Sequence, residues 1–309
     1  MSAIRIENLG KTYRGKWGRK GGVAALQGLS LEVREGEIFG FLGPNGAGKT
    51  TTIHLLLDLI RPTSGSAYMF DRPAGDAVVR RRLGYLPESV NLHDYYSGRG
   101  LLGFYGALAG IPRVARAGRI DGLLRLLKLE DAASRPVTKY SKGMLQRLGF
   151  AQALLGDPDL VILDEPTSSL DPVGRKEFRD ILLELKRQGK TVFISSHILS
   201  EVESVCDRVA ILTKGELVRI GTLQELSAPK SVKLTVRGVR EGLIGALAAT
   251  AAEVSFLRGD TIIKCSDEAT RSAVEKLLLD HQAAVERSEV ETQSLEDIFF
   301  SAIAPKKEP

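Results

Sequence analysis

The chain has 309 residues and a formal net charge of +5, with 43% hydrophobic and 26% charged residues. This composition excludes a disordered chain, and the sequence contains no apolar run of about 18 residues or more, so no membrane-spanning helix is expected. Two cysteines, Cys206 and Cys265, without C-x-x-C spacing argue against a disulfide framework and a zinc site. The length suggests two domains.

Short β-like runs open the chain, in AIRIENL and GLSLEV, and predict antiparallel strands. An apolar strand, a glycine loop and a helix follow in GEIFGFLGPNGAGKTTTIHLLLDLI, where Ile53, Leu56, Leu57 and Ile60 recur at helical spacing. DLVILDEP and TVFISSH predict two more buried strands, each followed by helical sequence. This alternation favours a parallel sheet covered by helices on both faces.

The stretch between the first predicted helix and DLVILDEP is mostly helical in pattern, which predicts an inserted helical subdomain at residues 89–157. SAPK at 227–230 is a plausible linker. After it the pattern is strand, helix, strand, strand, helix, strand, which is the order of the ferredoxin-like split unit. A final amphipathic segment, SLEDIFFSAI, has Ser294 as its predicted N-cap. We therefore expect domains at 1–227 and 231–304.

The loop GPNGAGKTT matches the nucleotide-binding pattern G-x-x-x-x-G-K-[ST] and lies between a predicted strand and a predicted helix. In this motif the backbone N–H groups surround phosphate, the lysine reaches the β- and γ-phosphates, and the hydroxyl can hold Mg²⁺. The predicted nucleotide-binding residues here are Gly43, Pro44, Asn45, Gly46, Ala47, Gly48, Lys49, Thr50 and Thr51.

Three further residues are predicted to act on the phosphates beside Lys49. Asp164 ends the run LVILD, where an acid associated with Mg²⁺ is expected, and Glu165 could orient and deprotonate the attacking water. Taken alone, the acidic pair could equally cap the helix that follows, but the P-loop favours catalysis. His197 ends TVFISSH at the carboxyl edge of the sheet, where it could contact the γ-phosphate.

In order and spacing these residues resemble the ATPase subunit of ABC transporters, over residues 3–225. The resemblance implies that YSKGMLQ is the signature motif, that SSLD is the D-loop, and that GYLPE stands at the Q-loop. It also implies that Tyr13 stacks on adenine; a strand aromatic packed on the core is the alternative, and Trp17 is a weaker candidate for the stacking role. The implied contacts to the ATP of a facing subunit come from Ser141, Lys142, Gly143 and Met144, with D-loop residues Ser169, Leu170 and Asp171, while the implied Mg²⁺ ligands are Thr50, Glu88 and Asp164, the last through water.

Two positions depart from the commonest pattern of the family. Glu88 stands where glutamine is usual, and the signature has S-K-G-M in place of S-G-G-Q. Lys142 could add a cation near the phosphate of the facing subunit, or it could point into solvent. Together with the C-terminal βαββαβ unit, these two departures give the chain a resemblance to one branch of the ABC ATPases. Members of that branch pair with a separate membrane permease of the ABC-2 type and mostly export their substrates.

The resemblance implies an α/β fold with a P-loop core, an N-terminal antiparallel subdomain and an inserted helical subdomain. It implies ATP and Mg²⁺ as cofactors and a head-to-tail homodimer, or a heterodimer with a related ATPase. The permease would dock around residues 90–104 and hold the chain, otherwise cytoplasmic, on the inner face of the membrane. No nucleic-acid partner is expected.

The other function considered within the family is a soluble ATPase that acts on ribosomes or DNA. Such proteins usually carry two cassettes or a long coiled coil, and the sequence has neither a second P-loop nor sustained heptads. A P-loop kinase or GTPase would have no use for the signature stretch.

Overall fold

The computed structural model describes residues 1–13, 22–93, 95–226, 229–237, 239, 241–250, 252–257, 260–292 and 295–303. The chain divides into two compact units, Met1–Leu223 and Gln224–Ser301. No helix in the described ranges is both long enough and apolar enough to cross a membrane.

The first unit combines an antiparallel sheet, a larger mixed sheet and a group of helices. Its strands are β1 (Ser2–Tyr13), β2 (Val23–Arg34), β3 (Ile38–Leu42), β4 (Ser64–Met69), β5 (Arg72–Pro73), β6 (Leu83–Leu86), β7 (Leu160–Asp164), β8 (Thr191–Ser196), β9 (Arg208–Thr213) and β10 (Glu216–Thr222). Its helices are α1 (Lys49–Leu56), α2 (Ala77–Arg81), α3 (Gly98–Leu108), α4 (Arg113–Leu126), α5 (Lys142–Leu154), α6 (Pro172–Arg187) and α7 (Leu199–Glu203).

The larger sheet positions the predicted catalytic residues. Its strand order is β10-β9-β3-β8-β7-β6, with only the β10 edge antiparallel. Every residue of β3, β7 and β8 is buried, as expected for parallel strands covered on both faces. Because these three neighbouring strands end at the same edge, the P-loop, the Asp164–Glu165 pair and His197 meet there.

The antiparallel sheet has the order β2-β1-β4-β5. Its strands β4 and β5, together with β6, lie in the stretch that the sequence analysis took as mostly helical, so that expectation was wrong for these three strands, although α2 lies between β5 and β6. The segment SGSAYM is exposed or half-buried over most of its length, so it lacks the apolar alternation that signals a strand. Helix α1 also ends at Leu56 rather than near Ile60, because Asp58 takes a left-handed backbone conformation with φ 55°.

The inserted subdomain contains α3, α4 and α5. Ser97 caps α3 by accepting a hydrogen bond from the backbone of Gly100 at 3.2 Å. Leu101 and Leu102 of α3, Leu124 of α4 and Leu148 of α5 are buried, so each helix contributes apolar side chains to the core.

The second unit is built from α8 (Leu223–Leu226), β11 (Pro229–Arg237), α9 (Glu241–Ala248), β12 (Glu253–Leu257), β13 (Asp260–Cys265), α10 (Glu268–Asp280), β14 (Val285–Thr292) and α11 (Leu295–Ile303). Its antiparallel sheet has the order β12-β13-β11-β14, which is that of the ferredoxin-like split unit. Leu234, Ile263, Leu247 and Val274 form its core between sheet and helices. Ser294, the predicted cap of the last helix, lies outside the described residues.

Candidate active site

The P-loop adopts a conformation that only glycine tolerates at its end. Gly48 immediately precedes α1 and has φ 109°, and a Cβ there would lie 2.5 Å from the backbone oxygen of Ala25. An alanine would therefore be both strained and in steric conflict with the neighbouring chain. The loop leads directly into the N-terminus of α1, where free backbone N–H groups and the positive end of the helix dipole favour phosphate.

Lys49 is almost fully buried and its ammonium group is held by the loop that precedes it. Nζ donates hydrogen bonds to the carbonyl oxygens of Gly43 at 2.6 Å and Pro44 at 3.3 Å. The same Nζ lies 3.1 Å from Oε1 of Glu165, which makes no hydrogen bond of its own. The contact is therefore an ion pair without hydrogen-bond geometry, and it brings P-loop and acidic residue into direct contact.

Asp164 and Glu165 are fixed by Ser195, a residue that the sequence analysis did not select. Ser195 Oγ donates to Asp164 Oδ1 at 2.5 Å and accepts from the backbone N–H of Glu165 at 3.1 Å. Ser195 is fully buried in β8, beside the end of β7. One hydroxyl thus orients both acidic residues. The only indication of this role in the sequence is a pair of serines at the end of an otherwise apolar strand.

Glu165 occupies an uncommon backbone conformation. Its φ is 47°, in the left-handed region, although it is not glycine. Such strain costs about 1 to 3 kcal/mol and is concentrated at functional sites. Its carboxylate joins two predicted catalytic residues, since Oε2 lies 2.8 Å from Nδ1 of His197 and Oε1 faces Lys49. Because a carboxylate accepts, Nδ1 of His197 carries the proton in this contact.

These residues open into a cleft of about 580 Å³ lined by Tyr13, Val23, Ala25, Pro44, Asn45, Gly46, Gly48, Lys49, Thr50, Thr51, Glu88, Glu165 and His197. Tyr13 is 41% exposed at the end of β1, so it does not pack in the core, and the cleft is open to it. Trp17 lies outside the described residues. Gly43, Ala47 and Asp164 lie behind the lining: Gly43 offers its carbonyl to Lys49, and the other two are buried.

Glu88 lies on the side of the cleft formed by β6 and the residues after it. Burial raises the pKa of Tyr85 most, and with the charges of Asp164 and Glu88 acting in the same direction the pKa reaches about 12. The two carboxylates therefore lie close enough to act electrostatically on one phenol. Thr50 and Glu88 line the cleft and Asp164 lies behind its lining, and hydroxyl and carboxylate oxygens are the kind of ligand that Mg²⁺ prefers.

The signature residues line different pockets from the nucleotide cleft. Ser141, Gly143 and Met144 line one of about 310 Å³ together with D-loop residues Ser169, Leu170 and Asp171. Lys142 lines another of about 290 Å³ that also contains Glu88. The described residues that line the cleft containing Lys49 include none of the four signature residues Ser141 to Met144.

Ser141 is the N-cap of α5, and its Oγ accepts a hydrogen bond from the backbone of Met144 at 3.3 Å. The capping hydroxyl therefore satisfies the backbone N–H of Met144 within the chain. Asp171 acts in the same way on α6, accepting from the backbone of Gly174 at 2.8 Å.

Residues 26–168 match the family model described as ABC transporter. An ABC transporter ATP-binding protein of Bacillus subtilis is 36% identical over 304 residues, covering 97% of this chain and 99% of that protein. The chain belongs to the ABC transporter ATP-binding proteins. A second member, from Nostoc, is 49% identical over 227 residues, covering 73% of this chain and 68% of that protein. A fluoroquinolones export ATP-binding protein of Mycobacterium tuberculosis is 39% identical over 246 residues, with 78% of each chain covered.

The fold is also that of solved ABC cassettes. A dimeric post-hydrolysis structure of an ATP-binding cassette with ADP and Pi superposes with a TM-score of 0.66 and 25% identity, over 71% of this chain and 98% of that one. This ABC protein is therefore an ATPase.

Proposed function

We propose that this ABC ATPase powers export of a substrate through a separate membrane permease of the ABC-2 type, working as a head-to-tail dimer. The observation that carries the proposal is the separation of the signature pocket from the nucleotide cleft. If signature and P-loop both act on ATP, they act on different ATP molecules, so two chains must face each other. A homodimer and a heterodimer with a related ATPase satisfy this requirement equally.

Binding of ATP in the cleft follows from the residues that line it. Tyr13 stacks on adenine, and Gly46, Gly48 and the start of α1 present N–H groups to the phosphates. Lys49 exchanges the P-loop carbonyls and Glu165 for the β- and γ-phosphates. This exchange is favourable because phosphate oxygens carry more negative charge than the carbonyls that Lys49 contacts.

Hydrolysis then depends on Glu165. Once Lys49 is bound to phosphate, Oε1 of Glu165 is free to accept a proton from the attacking water. His197 keeps Oε2 in place through its Nδ1 proton and contacts the γ-phosphate. Thr50, Glu88 and Asp164 would hold Mg²⁺, with Asp164 acting through water, and the bound ion neutralises phosphate charge.

The facing subunit completes each site. Gly143 and neighbouring amides at the start of α5 approach the γ-phosphate of the other chain, supported by the helix dipole. The D-loop residues share the signature pocket, so they approach the same phosphate. A cassette of similar fold was solved as a dimer with ADP and Pi, which supports this arrangement.

Docking of the permease is assigned to the surface around residues 90–104. Phe104 is 42% exposed and stacks on Tyr96 with ring centroids 5.6 Å apart, while His93 packs edge-on at 6.5 Å. An exposed aromatic cluster of this kind is typical of a protein interface.

Export rather than uptake is supported by the fluoroquinolones export relative. The chain would then lie on the inner face of the membrane, held by the permease.

The test of the dimer is complementation between two inactive variants. Lys49→Ala removes the phosphate ligand of a chain's own cleft, and Ser141→Arg blocks its signature. Each variant alone should hydrolyse little ATP, whereas a mixture forms one heterodimer site with both wild-type elements and should recover a substantial part of the activity. If the mixture is no more active than the sum of the two variants, the facing arrangement is wrong.

A further inference from the structure

A cluster of three charges joins three segments of the first unit. Glu177 of α6 accepts hydrogen bonds from Lys128 Nζ at its Oε1 and from Arg147 Nη2 at its Oε2, both at 2.7 Å. Lys128 follows the end of α4, and Arg147 lies in α5. Because each carboxylate oxygen takes a different cation, one side chain of α6 binds both the segment that follows α4 and helix α5.

The cluster is partly buried, which distinguishes it from an ordinary surface ion pair. The side chains of Glu177 and Arg147 are only 23% and 24% exposed, whereas that of Lys128 is 65% exposed. The Arg147 guanidinium also donates to the carbonyl oxygen of Leu127 at 3.4 Å. Lys128 itself takes a left-handed backbone conformation with φ 54°, uncommon for a residue with a side chain. Solvent screening is therefore incomplete and the geometry is specific.

The charge of Glu177 is stabilised by its partners. The hydrogen bond from Lys128 lowers the pKa of Glu177 most, and Arg147 lowers it further, against the smaller raising effect of burial. Glu177 is thus ionised at neutral pH.

Both cations belong to the wall of the signature pocket. Lys128 and Arg147 line it together with Ser141, Gly143 and Asp171. Arg147 is in the same helix as the signature, and Glu177 lies in α6, whose N-cap is the D-loop residue Asp171. The cluster therefore connects the signature helix to the helix that the D-loop starts.

We propose that Glu177 is a positioning residue, which holds the start of α5 against the D-loop through Lys128 and Arg147 and so sets the ATP concentration at which facing subunits hydrolyse. This inference rests on the proposed function, because it assumes that signature and D-loop act together on the ATP of the other chain. Glu177 itself contacts no nucleotide in this scheme.

The test compares Glu177→Gln with Glu184→Gln in the full chain. Glu184 is on the same helix and pairs at 2.9 Å with Arg187, a residue of that helix, so it joins no second segment. We expect Glu177→Gln to raise the KM for ATP in hydrolysis by about threefold or more with a smaller change in kcat, because two charge-assisted hydrogen bonds are weakened. ATP binding by the monomer should be unchanged, and Glu184→Gln should behave as the wild type.

Two further measurements make the result specific. Amide hydrogen exchange at residues 142–145 should be faster in Glu177→Gln than in Glu184→Gln. The pair Lys128→Met and Glu177→Gln should be less than additive in KM, because both remove the same contact. Equal KM and equal exchange in the two glutamine variants would overturn the inference.

Failure of the proposed function gives a different pattern. If the facing arrangement is wrong, the mixture of Lys49→Ala and Ser141→Arg chains recovers no activity, and this result does not depend on the role of Glu177. Positioning by Glu177 is judged separately, by the exchange of residues 142–145 in the isolated chain. Additive effects of Lys128→Met and Glu177→Gln would overturn it even where the complementation succeeds.

Discussion

Glu165 divides its two carboxylate oxygens between Lys49 and His197. In the proposed mechanism Oε1 of Glu165 becomes free to accept a proton from water only when Lys49 leaves it and binds phosphate. The left-handed backbone at Glu165 indicates that this placement is maintained against a local conformational preference.

Replacing this base gives the first prediction at the residue scale. Glu165→Gln keeps the shape but removes the ability to accept a proton, so ATP binding should be retained while turnover falls by about 100-fold or more. The ATP-bound dimer should accumulate and be visible by size-exclusion chromatography with ATP. Glu216→Gln, at an exposed position of β10, is the control. Unchanged turnover in Glu165→Gln would refute the assignment of the base.

The residues proposed to act on phosphate were accessible from the sequence, and Ser195, which hydrogen-bonds two of them, was not. The P-loop, Asp164, Glu165 and His197 stand at fixed places relative to strands, so motif and topology together brought them to one edge. Ser195 could not be predicted, because a serine in a buried strand gives no periodic signal, and its two hydrogen bonds exist only once β7 and β8 are paired.

Helix α5 presents Lys142 next to the Q-loop of its own chain. Lys142 and Glu88 line one pocket, yet neither has an ion-pair partner within 4 Å among the described residues, and both side chains are exposed. The two departures from the common motif are therefore of opposite charge and share one pocket. A lysine at the first position of a helix is unfavourable towards the dipole, so its presence there calls for a nearby anion.

The element-scale prediction is that Lys142 acts on the nucleotide of the facing chain. Lys142→Gly should raise the ATP concentration for half-maximal hydrolysis by about two- to fivefold, the range expected for one partly exposed cation near a charge, and leave ATP binding to the monomer unchanged. Since glycine also weakens helices by about 1 kcal/mol, Lys142→Gln is the matched variant that removes only the charge. Equal effects on hydrolysis and on monomer binding would indicate a lysine that only faces solvent.

Elements with a clear apolar pattern were predictable and largely exposed strands were not. The buried strands β3, β7 and β8 are continuous apolar runs, and α6 has an apolar face with Phe178, Leu182 and Leu185 buried. The strands β4 and β5 are largely exposed; β4 pairs with the edge of β1, and β5 pairs with β4. Pairing with a distant strand is a tertiary effect that local sequence does not encode.

At the scale of the whole molecule, the proposed functions of the first unit follow from where its charged side chains and its exposed aromatic side chains lie. The cleft at the P-loop contains the charged residues Lys49, Glu88 and Glu165, whereas the exposed aromatic cluster of His93, Tyr96 and Phe104 is at the beginning of the inserted subdomain. In the proposed function this aromatic cluster is the surface that contacts the permease, because burying it removes apolar area from water.

The last prediction tests this docking surface. When the chain is expressed with its membrane permease, Phe104→Ser should lose most of its recovery with the membranes, because the ring that Tyr96 and His93 pack against is removed. The purified variant should keep its ATPase activity, since Phe104 does not line the nucleotide cleft. Phe256→Ser, at an equally aromatic but 61% exposed position of β12 in the second unit, should stay with the membranes. Equal recovery of the two variants would place the permease contact elsewhere on the chain.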